Sequence, residues 1–308
     1  KRYLTMSLVL RSNISAENSL GTYKSITSDP ATEFNSYKAR VLADGGEVMN
    51  DADTLAAFKY LINSGIYGIA RTFVGSKFGI KRDSNGSVLK LYALDGIDLV
   101  AYNINNSALP VTIVNSELSF NNVVQASASQ TSGTIFISNK KIATRGQGLV
   151  LGVKGSSIKS STVAEQGVAA LSLLDNVANA TPLWFATLPK SGGGITFGRQ
   201  IGETPNQNST ALTQRATCYM AETGSSYVAF ADYKNRLFKG YRNGALVTMP
   251  ATASQFSNLD GFEGYVNFGG MAYNIANAKE RRLANMKVSL FYLYDNLPES
   301  KVETIAKF

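Results

Sequence analysis

The chain has no histidine. That removes the usual general base, the usual zinc ligand and the one side chain that titrates unaided near neutral pH. Ser/His/Asp chemistry is excluded with it. A single cysteine, Cys218, excludes an intrachain disulfide and a cysteine cluster for metal. It lies in TQRATCYMAE, a strand-like run in which a small buried thiol is expected rather than a nucleophile. No run approaches the roughly 18 to 20 apolar residues of a membrane helix, so membrane insertion is not expected. The opening KRYLTMSLVLRSNIS has a charged head, but its apolar SLVL is too short for a signal peptide and Arg11 breaks it. Charge is sparse, at 17% of residues, and the formal net charge of +8 is spread along the chain. The densest basic group is Lys279, Arg281 and Arg282. A nucleic-acid binder would show a basic stripe with interleaved aromatics, so a nucleic-acid partner is not expected.

What is present is turn chemistry. Twenty-seven glycines, with abundant Ser, Thr and Asn, favour a turn-rich β architecture. The clearest local signal is YVAFADYKNRLFKGYRNGALVTM, residues 227–249, in which Asn243-Gly244 takes the two positive φ angles of a type I′ turn. A two-residue loop pairs Arg242 with Ala245, Tyr241 with Leu246, Gly240 with Val247 and Phe238 with Met249. Alternation then puts Phe238, Val247 and Met249 on the core face and Tyr241 and Leu246 on the other. Further strand-like runs follow one another at short spacing from Ile66 onward: IYGIARTFVG, GIDLVAYN, PVTIVN, GTIFIS, GLVLGVKG, TPLWFAT, GGITFG and MKVSLFYLY. Many short strands with Gly/Asn turns read as a sandwich.

Helices are few. Asn50, Asp51 and Asp53 offer an N-cap and first-turn negative charge, Leu55, Phe58 and Ile62 form an apolar stripe, and Ser64-Gly65 closes a helix over 51–63. After Pro298, ESKVETIAKF reads as a terminal helix with Val302, Ile305 and Phe308 on one face. A short helix is expected over 162–174, and a short exposed helix or a loop over 274–284. Residues 3–10 fit a strand or an extended arm, and the polar stretch to about Thr32 reads as loop. A boundary near 78–86 separates an N-terminal arm and helical attachment region, 1–85, from a β-rich part, 86–308.

The β-rich part carries Lys90-Leu91-Tyr92, Asp95-Gly96 and Asp98, then Pro110-Val111-Thr112-Ile113-Val114. Later come WFATLPKSGGGITFGRQ, the Asn243-Gly244 hairpin, YVNFGG and SLFYLYDNLPESKVETI. Together these resemble a concanavalin A-like (laminin-G-like) jelly roll, in which a KLYD-x-SG-x-D strand opens the domain and a short helix follows its final strand. Tyr37, Ala39, Val41 and Ala43-Asp44-Gly45-Gly46 resemble a Y-x-A-x-V-x-A-D-G-G stretch that precedes such domains in tailed-phage virion proteins. The two resemblances cover roughly 37–308. They imply a mainly β protein, an antiparallel jelly-roll sandwich preceded by a smaller helix-containing region. They also imply a non-enzymatic structural component on the outside of a phage particle: head decoration, neck, or tail and fibre. Its partners would be other virion proteins and further copies of itself. The alternative is a glycan-binding module for adsorption to the host surface, and behind it a glycan hydrolase.

The candidate sites are weak on residue chemistry alone. Asp95-Gly96-Ile97-Asp98 and Asp260-Gly261-Phe262-Glu263 could each offer calcium two carboxylates, but Asp-Gly is above all a turn dipeptide. Gly146-Gln147-Gly148 and Gly192-Gly193-Gly194 lack the Gly-Lys-Ser/Thr of a phosphate loop. Glu203, Glu222, Asp232 and Asp260 are scattered singly and recommend no catalytic pair. No metal and no cofactor is therefore expected. Trp184, the only tryptophan, is expected in the core rather than stacked on a sugar. Tyr233, Arg236, Tyr241 and Arg242, on the exposed side of the hairpin, are the candidate contact surface, since Tyr and Arg are enriched at interfaces.

Overall fold

A computed structural model describes residues 28–104, 109–124, 132–144, 148–158, 164–172, 184–188, 194–200, 215–221, 225–232, 237–247, 263–272 and 281–308. The expected arm over 3–10 lies outside these residues.

The chain begins with α1 (Pro30–Ala43), β1 (Glu47–Val48) and α2 (Asp51–Asn63). Strands follow as β2 (Thr72–Gly75), β3 (Gly79–Arg82), β4 (Val88–Leu91), β5 (Asp95–Gly96) and β6 (Leu99–Ile104). Next come β7 (Val111–Val114), β8 (Glu117–Asn121), β9 (Gly133–Ser138), β10 (Ile142–Ala143) and β11 (Gly148–Lys154). Then β12 (Gln166–Ser172), β13 (Trp184–Leu188), β14 (Gly194–Gln200), β15 (Arg215–Ala221) and β16 (Ser226–Asp232). The series closes with β17 (Leu237–Arg242), β18 (Ala245–Val247), β19 (Glu263–Phe268), β20 (Gly270–Ala272), β21 (Arg281–Leu283), β22 (Asn285–Val288), β23 (Leu290–Tyr294) and α3 (Glu299–Ala306).

The larger sheet runs β1-β3-β4-β6-β9-β19-β12-β13-β14-β15, with β10 paired to β19 off this path. The second runs β18-β17-β16-β11-β23-β2-β5. The pairings are antiparallel, as a sandwich of short turn-linked strands requires. This is the mainly β, two-sheet architecture expected. The sheets are joined by aromatics that meet across the sandwich. Phe268 on β19 stacks on Phe291 of β23 at 4.6 Å and 4°, and Trp184 on β13 stacks on Phe238 of β17 at 5.8 Å and 22°.

The second sheet is buried on both faces. Leu149, Leu151, Val153, Tyr227, Ala229 and Phe291 face the larger sheet. Val150, Val228, Phe230, Tyr241, Tyr292 and Tyr294 face a layer built from α1, α2 and α3. Each helix is set by its own signals. Asp29 accepts from the Thr32 N–H at 2.8 Å and Pro30 opens α1, which buries Phe34, Tyr37 and Val41. Asn50 caps α2 by accepting from the Asp53 N–H at 3.0 Å, over the span expected. Its buried stripe is Thr54, Ala57, Phe58 and Leu61, with Leu55 and Ile62 at the margin. In α3, Val302 and Ile305 are buried and Phe308 packs at the edge.

Two expectations are corrected. Residues 166–172 are strand β12, not helix. Val168, Ala169, Ala170 and Leu171 are buried on a central strand, so the run needs no polar face and its small residues mimic a helical pattern. Arg281–Leu283 is strand β21, paired to β20, with Arg282 ion-paired to Glu165. The polar stretch read as loop to about Thr32 gives way to α1 at Pro30. Before residue 86, β2 pairs with β23 and β3 with β4, so this stretch contributes to both sheets.

Candidate functional site: a cleft beside the Asn243-Gly244 turn

The hairpin has the register its sequence implies: Arg242 opposite Ala245, Tyr241 opposite Leu246 and Gly240 opposite Val247. Asn243 and Gly244 have φ of 52° and 77°, the left-handed pair of a type I′ turn. The turn is locked to the neighbouring strand entry. Asn243 Oδ1 accepts from the Ser225 N–H at 2.9 Å and the Ser226 N–H at 3.1 Å, and the Asn243 N–H donates to Ser226 O at 2.9 Å.

Ser226 also pairs with Lys154 at the end of β11. The Lys154 ammonium donates to the Phe308 carbonyl at 3.1 Å, which ties the end of α3 to the same corner. That helix is held from below as well. Tyr60 donates to Thr304 O at 2.6 Å, Tyr292 to Ile305 O at 3.1 Å and Lys301 to Ser64 O at 2.8 Å. Lys239 pairs with Glu299 at its start. These contacts frame an open cleft of about 480 Å³ between the turn, the 225–226 entry and the end of α3.

The cleft offers ammonium donors from Lys154 and Lys307, the hydroxyls of Ser225 and Ser226, the Asn243 side chain and the edge of Phe308. Lys154 spends one N–H on Phe308 O and keeps others, since an ammonium carries three donors. Lys307 pairs with Glu303 one turn back, and that carboxylate draws its pKa up. No Asp or Glu side chain lines the cleft. It can bind a polar ligand, and it lacks a paired acid and base.

The predicted contact residues fall differently. Tyr241 is 6% exposed and packs beneath the helical layer, where burial raises its hydroxyl pKa. The face read as solvent-facing is therefore covered there by the terminal helix. Arg242 is half-buried beside the turn, and Leu246 is exposed. Tyr233 and Arg236 lie outside the described residues. Phe238 is in the core and Val247 packs against it, as alternation requires; Met249 lies outside. Trp184 is fully buried. Cys218 is placed on β15 opposite Phe197, and its expected burial lies outside what is described.

The motif residues of the two resemblances meet at a second cluster. Asp44, the C-cap of α1, accepts from the Tyr92 hydroxyl at 2.7 Å and Lys90 at 3.0 Å. Arg40 pairs with Asp98 at 2.7 Å and lies over the ring of Tyr92, as Lys90 does. The Tyr92 hydroxyl and then Lys90 hold the Asp44 carboxyl well below the usual range. This cluster clamps the first helix to the sheet. Because the folded pKa is depressed, the contribution of Asp44 is complete above the ordinary carboxylate value of about 3.9 and disappears as pH falls through the folded value. The urea midpoint should accordingly fall more steeply below about pH 4 in the wild type than in Asp44→Asn; parallel curves would remove Asp44 from the acid response.

The first calcium candidate, Asp95 to Asp98, is engaged by backbone N–H groups and ion pairs. Asp95 Oδ2 accepts from the N–H groups of Gly68, Ile69 and Ala70 at 2.7, 3.1 and 3.0 Å. Asp98 accepts from the Ala93 N–H at 2.9 Å and pairs with Arg40 and Lys90. Asp95-Gly96 forms a short strand on β2, with Gly96 at φ 84°. Asp260 lies outside the described residues. Among the described residues, no group of three or more His, Cys, Asp or Glu is placed to hold a metal.

No family model and no curated protein sequence matches the chain. Among solved structures, it is similar to the CBM40 of Ruminococcus gnavus IT-sialidase bound to α2,3 sialyllactose. The identity is 15% and the TM-score 0.37, covering 54% of this chain and 84% of that one. It is also similar to the binding domain of botulinum neurotoxin serotype G, with 10% identity, TM-score 0.43, and 77% and 50% of the two chains. A Trypanosoma rangeli sialidase gives 15% identity and TM-score 0.39 over 77% and 32%. Scores this low carry no inference about function.

Proposed function

We propose that this chain is a non-catalytic glycan-binding module on the exterior of a bacteriophage particle. The observation that carries the binding is the cleft beside Asn243. Sugar hydroxyls both donate and accept, and a site for them needs mixed polar groups fixed on rigid elements. Here the ammoniums, hydroxyls and amide come from strand ends, the Asn243-Gly244 turn and the end of α3, which hydrogen bonds hold in place. Its volume, about 480 Å³, lies within the range of small-ligand sites. Glycoside hydrolysis needs two placed acidic side chains, and no Asp or Glu lines the cleft, so the ligand is held and released unchanged. The particle setting is supported by the resemblance of Tyr37–Gly46 to tailed-phage virion proteins. In that setting the chain contacts other virion proteins while the cleft faces outward.

The test is an array of bacterial surface polysaccharides probed with the full chain. Binding is expected, and Lys154→Ala, which removes a charged donor, should weaken it about tenfold. Ser226→Ala should weaken it less. A chain that binds nothing on the array overturns the binding reading. Mass spectrometry of purified particles tests the setting separately, and absence of the chain from them overturns it.

A further inference from the structure

One wall of the cleft beside Asn243 is not part of a sheet. Ala306, Lys307 and Phe308 form it, at the end of an eight-residue helix. A helix that short has little stability of its own, so its contacts decide where its end sits. A helix end also leaves its last carbonyls without the usual partner inside the helix. Two of them are taken by tyrosine hydroxyls: Ile305 O by Tyr292 of β23 at 3.1 Å, and Thr304 O by Tyr60 at 2.6 Å. Tyr292 is buried in the sheet, whereas Tyr60 is half-buried on α2. The ring of Tyr60 also meets the ring of Phe308 edge-on at 5.1 Å, and Phe308 meets Phe73 of β2 in the same way at 5.2 Å. The Phe308 carbonyl in turn accepts from the Lys154 ammonium at 3.1 Å. One line of contacts therefore runs from α2, through the end of α3, to a charged donor of the cleft.

We propose that Tyr60 is a positioning residue for the cleft, acting through Thr304 and Phe308 on Lys154. The inference rests on the glycan-binding reading for its ligand and on these contacts alone for its geometry. Tyr60 does not itself line the cleft. It holds the last turn of α3 at two points, the Thr304 carbonyl and the Phe308 ring. Without its hydroxyl, Ile305 stays seated on Tyr292 while Thr304 is released. The last turn then pivots about Ile305 and carries the Phe308 carbonyl, and with it the Lys154 ammonium, away from the bound geometry. The remaining ties of the helix do not replace this one. Lys301, which donates to Ser64 O, lies about two turns before Phe308, and Glu299, paired to Lys239, lies earlier still. A binding site tolerates displacements of only about 0.5 Å in its donors, so a lost support is read as lost affinity. The helical layer is thereby part of the support of the cleft as well as of the fold.

Tyr60→Phe keeps the ring against Phe308 and removes the hydroxyl alone. On a bacterial polysaccharide that the full chain binds, its dissociation constant is expected to rise about fivefold. A residue that only supports the fold lowers the urea midpoint yet leaves the dissociation constant of the folded molecules unchanged, so affinity measured well below the midpoint separates the two roles. Lys301→Ala, which cuts the Ser64 tie, should change the constant by less than about twofold. A second readout needs no ligand. Deuterium exchange over 304–308 in the full chain should be about fivefold faster in Tyr60→Phe, with exchange in β11 unchanged. An unchanged dissociation constant in Tyr60→Phe overturns the inference and leaves the glycan-binding reading standing. An equal loss in Lys301→Ala overturns it too, because any tether of the helix then serves. If the wild-type chain binds no polysaccharide, the binding reading falls and exchange alone decides: unchanged rates over 304–308 overturn the positioning role, and faster ones uphold it for the wall.

Discussion

Trp184→Ala is expected to cost about 3 to 5 kcal/mol of folding stability and to abolish ligand binding at the Asn243 cleft with it. The indole is fully buried. It stacks on Phe238 across the sandwich and lies 6.5 Å from Phe197 on the neighbouring strand. Deleting it removes a large apolar body and leaves a cavity between two sheets whose backbones are fixed by long ladders, so the space cannot collapse cheaply. The functional consequence follows from the partner. Phe238 belongs to β17, the strand that ends at Asn243-Gly244. Losing its packing loosens the hairpin that positions one wall of the cleft. Trp184→Phe, which keeps a ring against Phe238, should lose less than half as much stability. Phe238→Ala leaves the only tryptophan in place and reports directly, as a red shift of its emission. A midpoint change below about 1 kcal/mol for Trp184→Ala would mean that the sandwich is not held at this contact.

The Trp184–Phe238 contact also marks how far the sequence could be read. The core side of the hairpin was legible, because Asn-Gly fixes the turn type, the turn type fixes the register, and the register assigns faces. The helices at 51–63 and after Pro298 were legible from caps and first-turn charge. Strands buried on both faces were legible only in part. Gly148–Lys154 reads as a strand and is one, whereas the apolar run Gly167–Leu171 inside Gln166–Ser172 shows no period of two and resembles a helix. Tyr241 shows the matching limit at a site. Alternation correctly separated it from Phe238, but nothing local says that a helix some sixty residues later covers the other face. The cleft was less legible still. Lys154, Ser226 and Lys307 come from three distant stretches with no shared spacing. Asn243 was the only signal, and it pointed to a turn.

Asp95→Ala should rival the tryptophan change, by a polar route. One carboxylate oxygen accepts from three successive backbone N–H groups, those of Gly68, Ile69 and Ala70, and the residue is buried. Alanine strands all three donors in a place water reaches poorly. At about 1 to 3 kcal/mol for each unmet buried group, the loss should be about 4 kcal/mol or more. Asp95→Asn keeps one oxygen in the same position without the charge and should lose roughly half of that. The neighbouring glycine gives an independent reading of the same corner. Gly96 has φ 84°, and a Cβ there would sit 2.3 Å from the Arg71 carbonyl oxygen, a backbone atom that accepts from the Ile97 N–H at 2.8 Å. Gly96→Ala should therefore cost roughly 2 to 5 kcal/mol through backbone strain and overlap, with every hydrogen bond of Asp95 still available to it. Urea unfolding of the three variants separates the contributions. If Asp95→Ala and Asp95→Asn lose the same amount, the charge rather than the acceptor holds the 68–70 segment. If neither moves the midpoint, the 68–70 segment finds other partners.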